Sequence, residues 1–200
     1  MARYSIDQLS KMANADLHSG STLCKTISYL LYDSRKLSHP PETLFIALKS
    51  SRNDGHKYIS SLYANGVRNF LVETIPNDIN LEEANFLVVK NTLKALQEIA
   101  AKHRSSFHFP IVGITGSNGK TIVKEWLYSL LQPDFNIARS PKSFNSQLGT
   151  ALSLWNLGPD HNLAIIEAGI SQPGEMQHLQ RLIQPTAGVC TYGGRGHAER

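Results

Sequence analysis

Residues 110–121 constrain the fold of this chain more than any other part of the sequence. They read Pro-Ile-Val-Gly-Ile-Thr-Gly-Ser-Asn-Gly-Lys-Thr, an apolar β-branched run, then a glycine-rich turn, then the start of an amphipathic helix. Gly116 and Gly119 can adopt backbone angles closed to other residues, so successive N–H groups can curl around an anion. The helix start adds a positive dipole end, Lys120 adds a charge, and Thr121 offers a hydroxyl to a magnesium ion. The segment therefore predicts a loop that binds the phosphates of a nucleoside triphosphate.

The spacing of the loop glycines departs from the common pattern G-x-x-x-x-G-K-[ST]. That pattern asks for glycine at position 114, where this chain has Ile114, and the nearest glycine is Gly113. A chance glycine-rich turn is the alternative explanation. The strand before the loop and the helix after it favour phosphate binding.

The composition is that of an ordinary globular protein. Of the 200 residues, 41% are hydrophobic and 18% are charged, so the chain can bury a core. The net charge of +4 comes from scattered lysines and arginines. A nucleic-acid-binding protein needs a basic stripe with interleaved aromatics, and the sequence has none.

Cysteine usage and hydropathy indicate a cytoplasmic protein. Cys24 and Cys190 are too few for a disulfide framework or a cysteine metal site, and we expect both to be buried. The N-terminal residues have no apolar signal core. No apolar run approaches the length of a membrane span.

We expect two α/β domains divided near residue 108. Residues 109–200 alternate strands and helices, which predicts βαβ units and a parallel sheet. The polar segment 104–110 ends in proline and is predicted to be a short hinge. The predicted helices cover 6–13, 56–65, 92–104, 120–131, 147–157 and 174–183. The predicted strands cover 26–32, 43–48, 69–72, 85–89, 111–115, 135–139, 163–168 and 187–192.

A carboxylate ends the strand that follows the loop's own βαβ unit. Residues 163–166 are apolar, and Glu167 comes directly after them. Ligands gather at the carboxyl ends of parallel strands, so Glu167 should lie beside the phosphates, where Mg²⁺ needs an oxygen ligand. The alternative is an ordinary glutamate exposed to solvent, but the loop upstream favours the metal-ligand role.

Other polar residues near these strand ends have ordinary structural explanations. Lys124 and Glu125 follow the loop on its helix and are expected on a solvated face. Arg35 follows Asp33 at a strand end, where a surface ion pair explains it. His197 follows a strand, but its position alone assigns it no role.

Several segments share their order and spacing with a known family. They are Tyr-Asp-Ser-Arg at 32–35, the segments 44–49 and 52–56, Thr-Gly-Ser-Asn-Gly-Lys-Thr with Val-Lys-Glu-Trp at 115–126, and the segments 143–149, 167–169 and 173–175. Together they resemble the Mur ligases, ATP-dependent amide-forming enzymes of peptidoglycan synthesis. The resemblance is to the type that adds D-alanyl-D-alanine to UDP-N-acetylmuramoyl-tripeptide. It implies a small N-terminal UDP-substrate domain (1–108) and the first part of a parallel-sheet P-loop ATPase domain (109–200).

The resemblance also implies a role for individual residues. Mg²⁺ would be held by Thr121, Glu167 and His197, while Lys120 and Glu167 would be catalytic. The ATP phosphates would be cradled by Thr115, Gly116, Ser117, Asn118, Gly119, Lys120 and Thr121. The uridine end of the substrate would lie against Asp33, Ser34 and Arg35, with Asn145 nearer the sugar–peptide side.

The implied reaction passes through an acyl phosphate. The γ-phosphoryl group of ATP goes to the terminal carboxylate of UDP-N-acetylmuramoyl-tripeptide, and the amine of D-alanyl-D-alanine then attacks. The resemblance implies a monomer, with no nucleic-acid partner and no membrane insertion.

The chain departs from the family before its histidine. The usual T-N-x-G-E-x-H is replaced by Thr-Tyr-Gly-Gly-Arg-Gly-His at 191–197, which puts Tyr192 and Arg195 beside the expected metal site. The chain stops at Arg200, ahead of the family's modified lysine, its adenine-contacting segment and its C-terminal domain. We therefore expect a fragment that is inactive alone.

Two alternatives remain open. One is the sister ligase that adds a diamino acid, and the other is a non-catalytic module that binds a nucleotide or UDP-sugar. Some Mur ligases of the D-alanyl-D-alanine type are fused to an alanine racemase domain, and the sequence around Trp126 and residues 143–155 is similar to theirs.

Overall fold

The computed structural model describes residues 2–20, 26–51, 53–77, 79, 81–170 and 174–192. They form two compact units, divided between Ile99 and Ala100. The helices are α1 (Ile6–Ala13), α2 (Ile59–Ala64), α3 (Thr92–Arg104), α4 (Lys120–Leu131), α5 (Gln147–Trp155) and α6 (Glu175–Ile183). The strands are β1 (Tyr4–Ser5), β2 (Asp16–Ser19), β3 (Thr26–Ile27), β4 (Tyr29–Leu31), β5 (Thr43–Ile46), β6 (Asn69–Val72), β7 (Asn85–Val88), β8 (Ile111–Thr115), β9 (Ile137–Arg139), β10 (Leu163–Glu167) and β11 (Ala187–Cys190).

The first unit is built on a five-stranded sheet in the order β2-β7-β6-β5-β4. Strands β4 to β7 are parallel, and β2 pairs antiparallel with β7. Strand β2 was not predicted, because three of its four residues are exposed and no apolar alternation marks it. Strands β3 and β4 were predicted as one strand, although β3 pairs with β1 in a separate two-stranded sheet.

Three phenylalanines in register form the centre of the first unit. Phe45, Phe70 and Phe86 occupy matching positions on β5, β6 and β7, and all three are fully buried. The rings of Phe70 and Phe86 stack with centroids 5.3 Å apart, and Phe45 meets Phe70 edge-on at 6.5 Å. Buried aromatic pairs of this geometry add stability beyond the area they bury.

The second unit contains a four-stranded sheet in the order β11-β8-β10-β9, and all of its described pairings are parallel. The predicted α/β fold with a parallel sheet is therefore confirmed. Helices α4, α5 and α6 connect its parallel strands, so the carboxyl ends of β8, β10 and β11 lie at one edge of the sheet. That edge positions the candidate site.

The exposure of Cys190 differs from expectation. Cys190 is exposed, because β11 is the outermost strand of the described sheet, and Cys24 lies outside the described residues.

The segment 104–110, predicted to be a polar hinge, begins with a buried residue, Arg104. Its guanidinium donates to the carbonyls of Ile183 and Gln184 at the end of α6, both at 2.9 Å. Arginine at that position satisfies helix-end carbonyls, which sequence polarity alone does not reveal.

The helix predicted over 56–65 is shorter than expected. A 3-10 turn covers Gly55–Tyr58, and α2 begins only at Ile59. The Asp54 side chain accepts a hydrogen bond from the backbone N–H of His56 at 3.0 Å and so caps that turn. Among the helices that the structure describes, none is both long and apolar enough to cross a membrane.

Candidate functional site

The predicted phosphate loop joins β8 to α4 at the carboxyl edge of the second unit's sheet. Thr115 ends β8 and Lys120 begins α4, as the sequence predicts. Gly119 occupies the N-cap of α4 with φ +82°, and no side chain of a described residue caps the helix. Within the described part of the chain, the first N–H groups of α4 therefore have no capping side chain, which leaves a helix end suited to an anion.

Gly116 is required by a close approach as well as by its backbone angle. Its φ is +128°, a conformation that residues with side chains rarely adopt. A Cβ at this position would lie 2.2 Å from Thr191 Oγ1 and 3.0 Å from the backbone nitrogen of Tyr192. The loop is thus packed against the residues that follow β11.

The residues after β11 fasten the loop in place. The Thr191 hydroxyl donates to the carbonyl of Asn118 at 2.5 Å, and the backbone N–H of Ser117 donates to the carbonyl of Tyr192 at 2.7 Å. Sequence reasoning gave Thr191 no role, although its place at a strand end beside the loop is a usable signal. Tyr192 contributes through its backbone, so tyrosine in place of the family's asparagine leaves this contact intact.

The Lys120 side chain folds back over the loop. Its Nζ donates to the carbonyl of Gly116 at 2.5 Å and lies 3.4 Å from that of Ser117. These contacts hold a positive charge beside the helix N-terminus. An anion bound by the loop's N–H groups would meet that charge.

Glu167 is fully buried and faces the loop. Its Oε2 accepts a hydrogen bond from the Thr121 hydroxyl at 3.2 Å. Its Oε1 accepts no well-aligned hydrogen bond from a described residue, although Lys124 Nζ lies 3.0 Å away. Thr115 Oγ1 is likewise buried without a hydrogen-bond partner among the described residues.

These oxygen atoms fit a hard cation. Mg²⁺ prefers carboxylate and hydroxyl oxygens and is usually held by one or two carboxylates beside substrate phosphates. Glu167 and Thr121 supply those atoms next to the loop, where Glu167 Oε2 lies 3.2 Å from the Thr121 hydroxyl. His197 lies outside the described residues, and no cluster of three or more His, Cys, Asp or Glu side chains occurs within the described part of the chain.

The expectation that Lys124 lies on a solvated helix face is wrong. Lys124 is fully buried beneath Glu167, and its Nζ donates to the carbonyls of Ser140 (2.9 Å) and Lys142. The helical spacing of α4 turns this position toward β9 and β10, and the ammonium donates to carbonyls that are distant in sequence. Glu125 is half-exposed and pairs with both Lys124 and Arg139.

Asn145 lies in the turn that leads to α5, on the same edge of the sheet. Its backbone carbonyl accepts a hydrogen bond from the N–H of Gly169, just after β10, at 2.7 Å. Ser146 then caps α5 through the N–H of Gly149 at 3.1 Å. The structure gives the Asn145 side-chain amide no hydrogen bond to a described residue, so the amide is available to a ligand.

In the first unit, Asp33, Ser34 and Arg35 follow β4. The Arg35 guanidinium donates two hydrogen bonds to the Asp33 carboxylate, at 2.8 and 2.9 Å. These bonds lower the pKa of Asp33 from 3.8 to about 2. The Arg35 side chain is 86% exposed, so the expected surface ion pair is present. The Ser34 hydroxyl makes no hydrogen bond to any described residue.

The segment 52–56 has a clear structural role in the first unit. His56 Nε2 accepts a hydrogen bond from the backbone N–H of Glu73 at 3.0 Å, so the proton resides on Nδ1 and is donated to Asp54 at 2.6 Å. The pair therefore ties this loop to the end of β6. Arg52 lies outside the described residues.

Comparisons with known proteins agree with this geometry. Residues 26–104 match the Mur ligase family, catalytic domain, and residues 114–200 match the Mur ligase middle domain. UDP-N-acetylmuramoyl-tripeptide–D-alanyl-D-alanine ligase of Bacillus subtilis is 30% identical over all of this chain and 43% of its own length. The enzyme of the same name from Escherichia coli is 32% identical over all of this chain and 42% of its own length.

Solved structures give the same result. MurF from Acinetobacter baumannii has a TM-score of 0.86 and 29% identity, over 95% of this chain and 41% of that one. MurF ligase from Thermotoga maritima, solved in complex with ADP, has a TM-score of 0.72 and 27% identity, over 82% of this chain and 37% of that one. The chain therefore spans about two fifths of the relatives that it matches. The two domain matches and the relatives of 30% and 32% identity over all of this chain lead to one conclusion: the chain belongs to the Mur ligase family.

Proposed function

We propose that this protein joins D-alanyl-D-alanine to UDP-N-acetylmuramoyl-tripeptide and splits ATP to ADP and phosphate. The observation that carries the proposal is the buried Glu167 held beside the loop 115–121 at neighbouring strand ends. The names of the similar enzymes support the choice of substrates. Because the chain spans only 43% of the Bacillus subtilis enzyme, the whole reaction is a proposal. A cytoplasmic location, a monomeric state and a domain boundary near residue 108 are part of it.

The loop and Lys120 would bind the ATP phosphates. The uncapped N–H groups at the start of α4 and the Lys120 ammonium provide positive charge on one side of the loop. Phosphoryl transfer depends chiefly on positioning and on neutralising charge, and these groups would contribute to both. The ADP complex of the Thermotoga maritima relative supports a nucleotide here.

Glu167 and Thr121 would hold the magnesium ion. Bound Mg²⁺ supplies charge that neutralises the phosphate oxygens during transfer. Burial of Glu167 excludes bulk water from its carboxylate. The hydrogen bond from the Thr121 hydroxyl helps to hold the carboxylate in its orientation. His197 stays a predicted third ligand.

Two sets of residues would contact the UDP-linked substrate. We propose that Asp33, Ser34 and Arg35 contact its uridine end and that Asn145 contacts its sugar–peptide side. The Ser34 hydroxyl and the Asn145 amide make no hydrogen bond to a described residue, which favours these contacts. The terminal carboxylate of the tripeptide would then accept the γ-phosphoryl group, and the amine of D-alanyl-D-alanine would displace it as phosphate.

The sister ligase that adds a diamino acid is the second candidate. A solved 2,6-diaminopimelate ligase has a TM-score of 0.51 at 20% identity, which shows a similar fold and nothing about substrate. The higher identities to enzymes of the D-alanyl-D-alanine type favour the first candidate. A non-catalytic module and a racemase fusion have no specific support in the described residues.

Two acceptor–amine substrate pairs, assayed side by side, test the proposal. The natural full-length protein is given ATP and Mg²⁺ with either UDP-muramoyl-tripeptide and D-alanyl-D-alanine, or UDP-muramoyl-dipeptide and a diamino acid. Mass spectrometry should find amide product and equimolar ADP with the first pair only. Product from the second pair alone would establish the sister activity, and absence of product from both would leave a binding module.

A further inference from the structure

Lys124 is a fully buried lysine with four oxygen atoms around its Nζ. Two are the carbonyl oxygens of Ser140 and Lys142, and two are the carboxylate oxygens Glu167 Oε1 (3.0 Å) and Glu125 Oε1 (3.2 Å). The two carbonyls accept hydrogen bonds from the ammonium, and the two carboxylate oxygens lie within ion-pair distance of it. A buried charge is expensive unless it is paired and hydrogen-bonded, and this one is both.

The Lys124 ammonium joins two pieces of the site that are far apart in sequence. Glu167 ends β10, whereas Ser140 directly follows β9 and begins the turn that leads to Asn145. The link is reinforced by the Ser140 hydroxyl, which accepts the backbone N–H of Glu167 at 3.0 Å. Lys142 has φ +50°, and its carbonyl is one of the oxygens that the ammonium holds. Residues in this conformation are retained where the surroundings hold them in place.

The ammonium also decides which way the Glu167 carboxylate points. Lys124 Nζ lies on the Oε1 side, and the Thr121 hydroxyl lies on the Oε2 side. With Oε1 attracted to the ammonium, Oε2 is kept toward the phosphate loop. Glu125 Oε1 lies 3.2 Å from the same ammonium, but the Glu125 side chain is 43% exposed, so solvent screens this pair.

We propose that Lys124 is a positioning residue that sets the Glu167 carboxylate and the turn 140–142 before any ligand binds. This inference rests on the proposed function, since it takes Glu167 as the metal ligand. Lys124 itself touches no substrate. It acts by holding the carboxylate and the Asn145 turn in one arrangement.

The first test is a double-mutant cycle on nucleotide-free full-length protein, followed by thermal unfolding. Lys124→Met removes the charge at similar length and leaves Glu167 as a buried carboxylate without its counter-charge, so the melting temperature should fall by about 5–15 °C. Adding Glu167→Gln should restore a substantial part of that loss, because the two substitutions are then coupled. If Lys124→Met does not fold but the double variant does, the coupling is demonstrated directly. Additive losses, or a double variant that also fails to fold, would overturn the proposal.

The second test separates positioning from nucleotide binding. In Lys124→Met, kcat should fall about 10–100-fold while KM for ATP changes less than about threefold, because the loop and Lys120 are untouched. Glu125→Gln is the matched control, and it should change kcat by less than about twofold because it is half-exposed. A kcat for Lys124→Met equal to that of the control would refute the inference, and so would a KM for ATP that rises as much as kcat falls. An inactive wild-type protein would refute the proposed function, whereas the unfolding cycle needs no activity.

Discussion

Substituting Gly116 tests whether the phosphate loop is built in advance of its ligand. Gly116→Ala places a Cβ where Thr191 Oγ1 lies 2.2 Å away, on a backbone with φ +128°. The backbone strain costs about 1–3 kcal/mol, and displacing the Thr191 hydroxyl gives up a hydrogen bond to Asn118 worth about 1 kcal/mol. We expect a loss of about 2–4 kcal/mol in the free energy of unfolding, or about 5–15 °C in melting temperature.

Two other glycines provide graded controls for that measurement. Gly119 has φ +82°, and the nearest atom to a Cβ there is 3.9 Å away, so Gly119→Ala should cost only the strain, about 1–2 kcal/mol. Gly188 in β11 has no atom of a described residue within 4 Å of a Cβ and needs no unusual φ, so Gly188→Ala should stay within about 0.5 kcal/mol of wild type. Thermal unfolding should rank the three variants in this order, and calorimetry should show weakened ADP binding by Gly116→Ala with normal binding by Gly188→Ala. If Gly116→Ala has the same melting temperature as the wild type, the close packing of the loop against Thr191 is refuted.

Three further predictions follow from single side chains. Lys120→Ala should abolish turnover of the full-length protein through loss of phosphate neutralisation, and retained turnover in a steady-state assay would remove Lys120 from the mechanism. The pKa of Asp33 is about 2, so its ion pair with Arg35 stabilises the fold above pH 3.8, and this stabilisation is lost as the pH falls toward 2. In Arg35→Met, NMR titration should find the pKa of Asp33 closer to 3.8, and an unchanged pKa would refute the assignment. His103 is buried in α3, and its burial lowers its pKa below 6.5, so the unfolded chain binds the proton first and stability falls as the pH drops below 6.5. Urea unfolding at several pH values should show that the free energy of unfolding of His103→Gln depends less on pH than that of the wild type, and an equal dependence would exclude His103 as the cause.

The loop and its strand were predictable because their signal is local. A β-branched run, two glycines and Lys-Thr lie within one short stretch, and β8 and α4 have the predicted bounds. Glu167 was predictable in position because the order of strand and helix in a parallel sheet brings strand ends together. Its burial and its contact with Thr121 agree with that expectation, while its metal-binding role stays a prediction.

Lys124 was not predictable, because two of the four oxygens around its Nζ are backbone carbonyls. The oxygens of Ser140 and Lys142 leave no trace in residue type, and a lysine on a helix is most often solvated. Thr191 was missed for the same reason, since its partners are the loop's own carbonyls. The short strand β2 carries too little apolar pattern to be found without its neighbour β7.

A crystal structure of the full-length protein with ADP and Mg²⁺ tests the central claim most directly. The site predicts nucleotide phosphates against the N–H groups of residues 116–121, with Lys120 beside them. It also predicts a metal ion in contact with Thr121 and Glu167. Nucleotide bound elsewhere, or a metal ion away from Glu167 while that carboxylate still faces only Lys124 and Thr121, would contradict the claim.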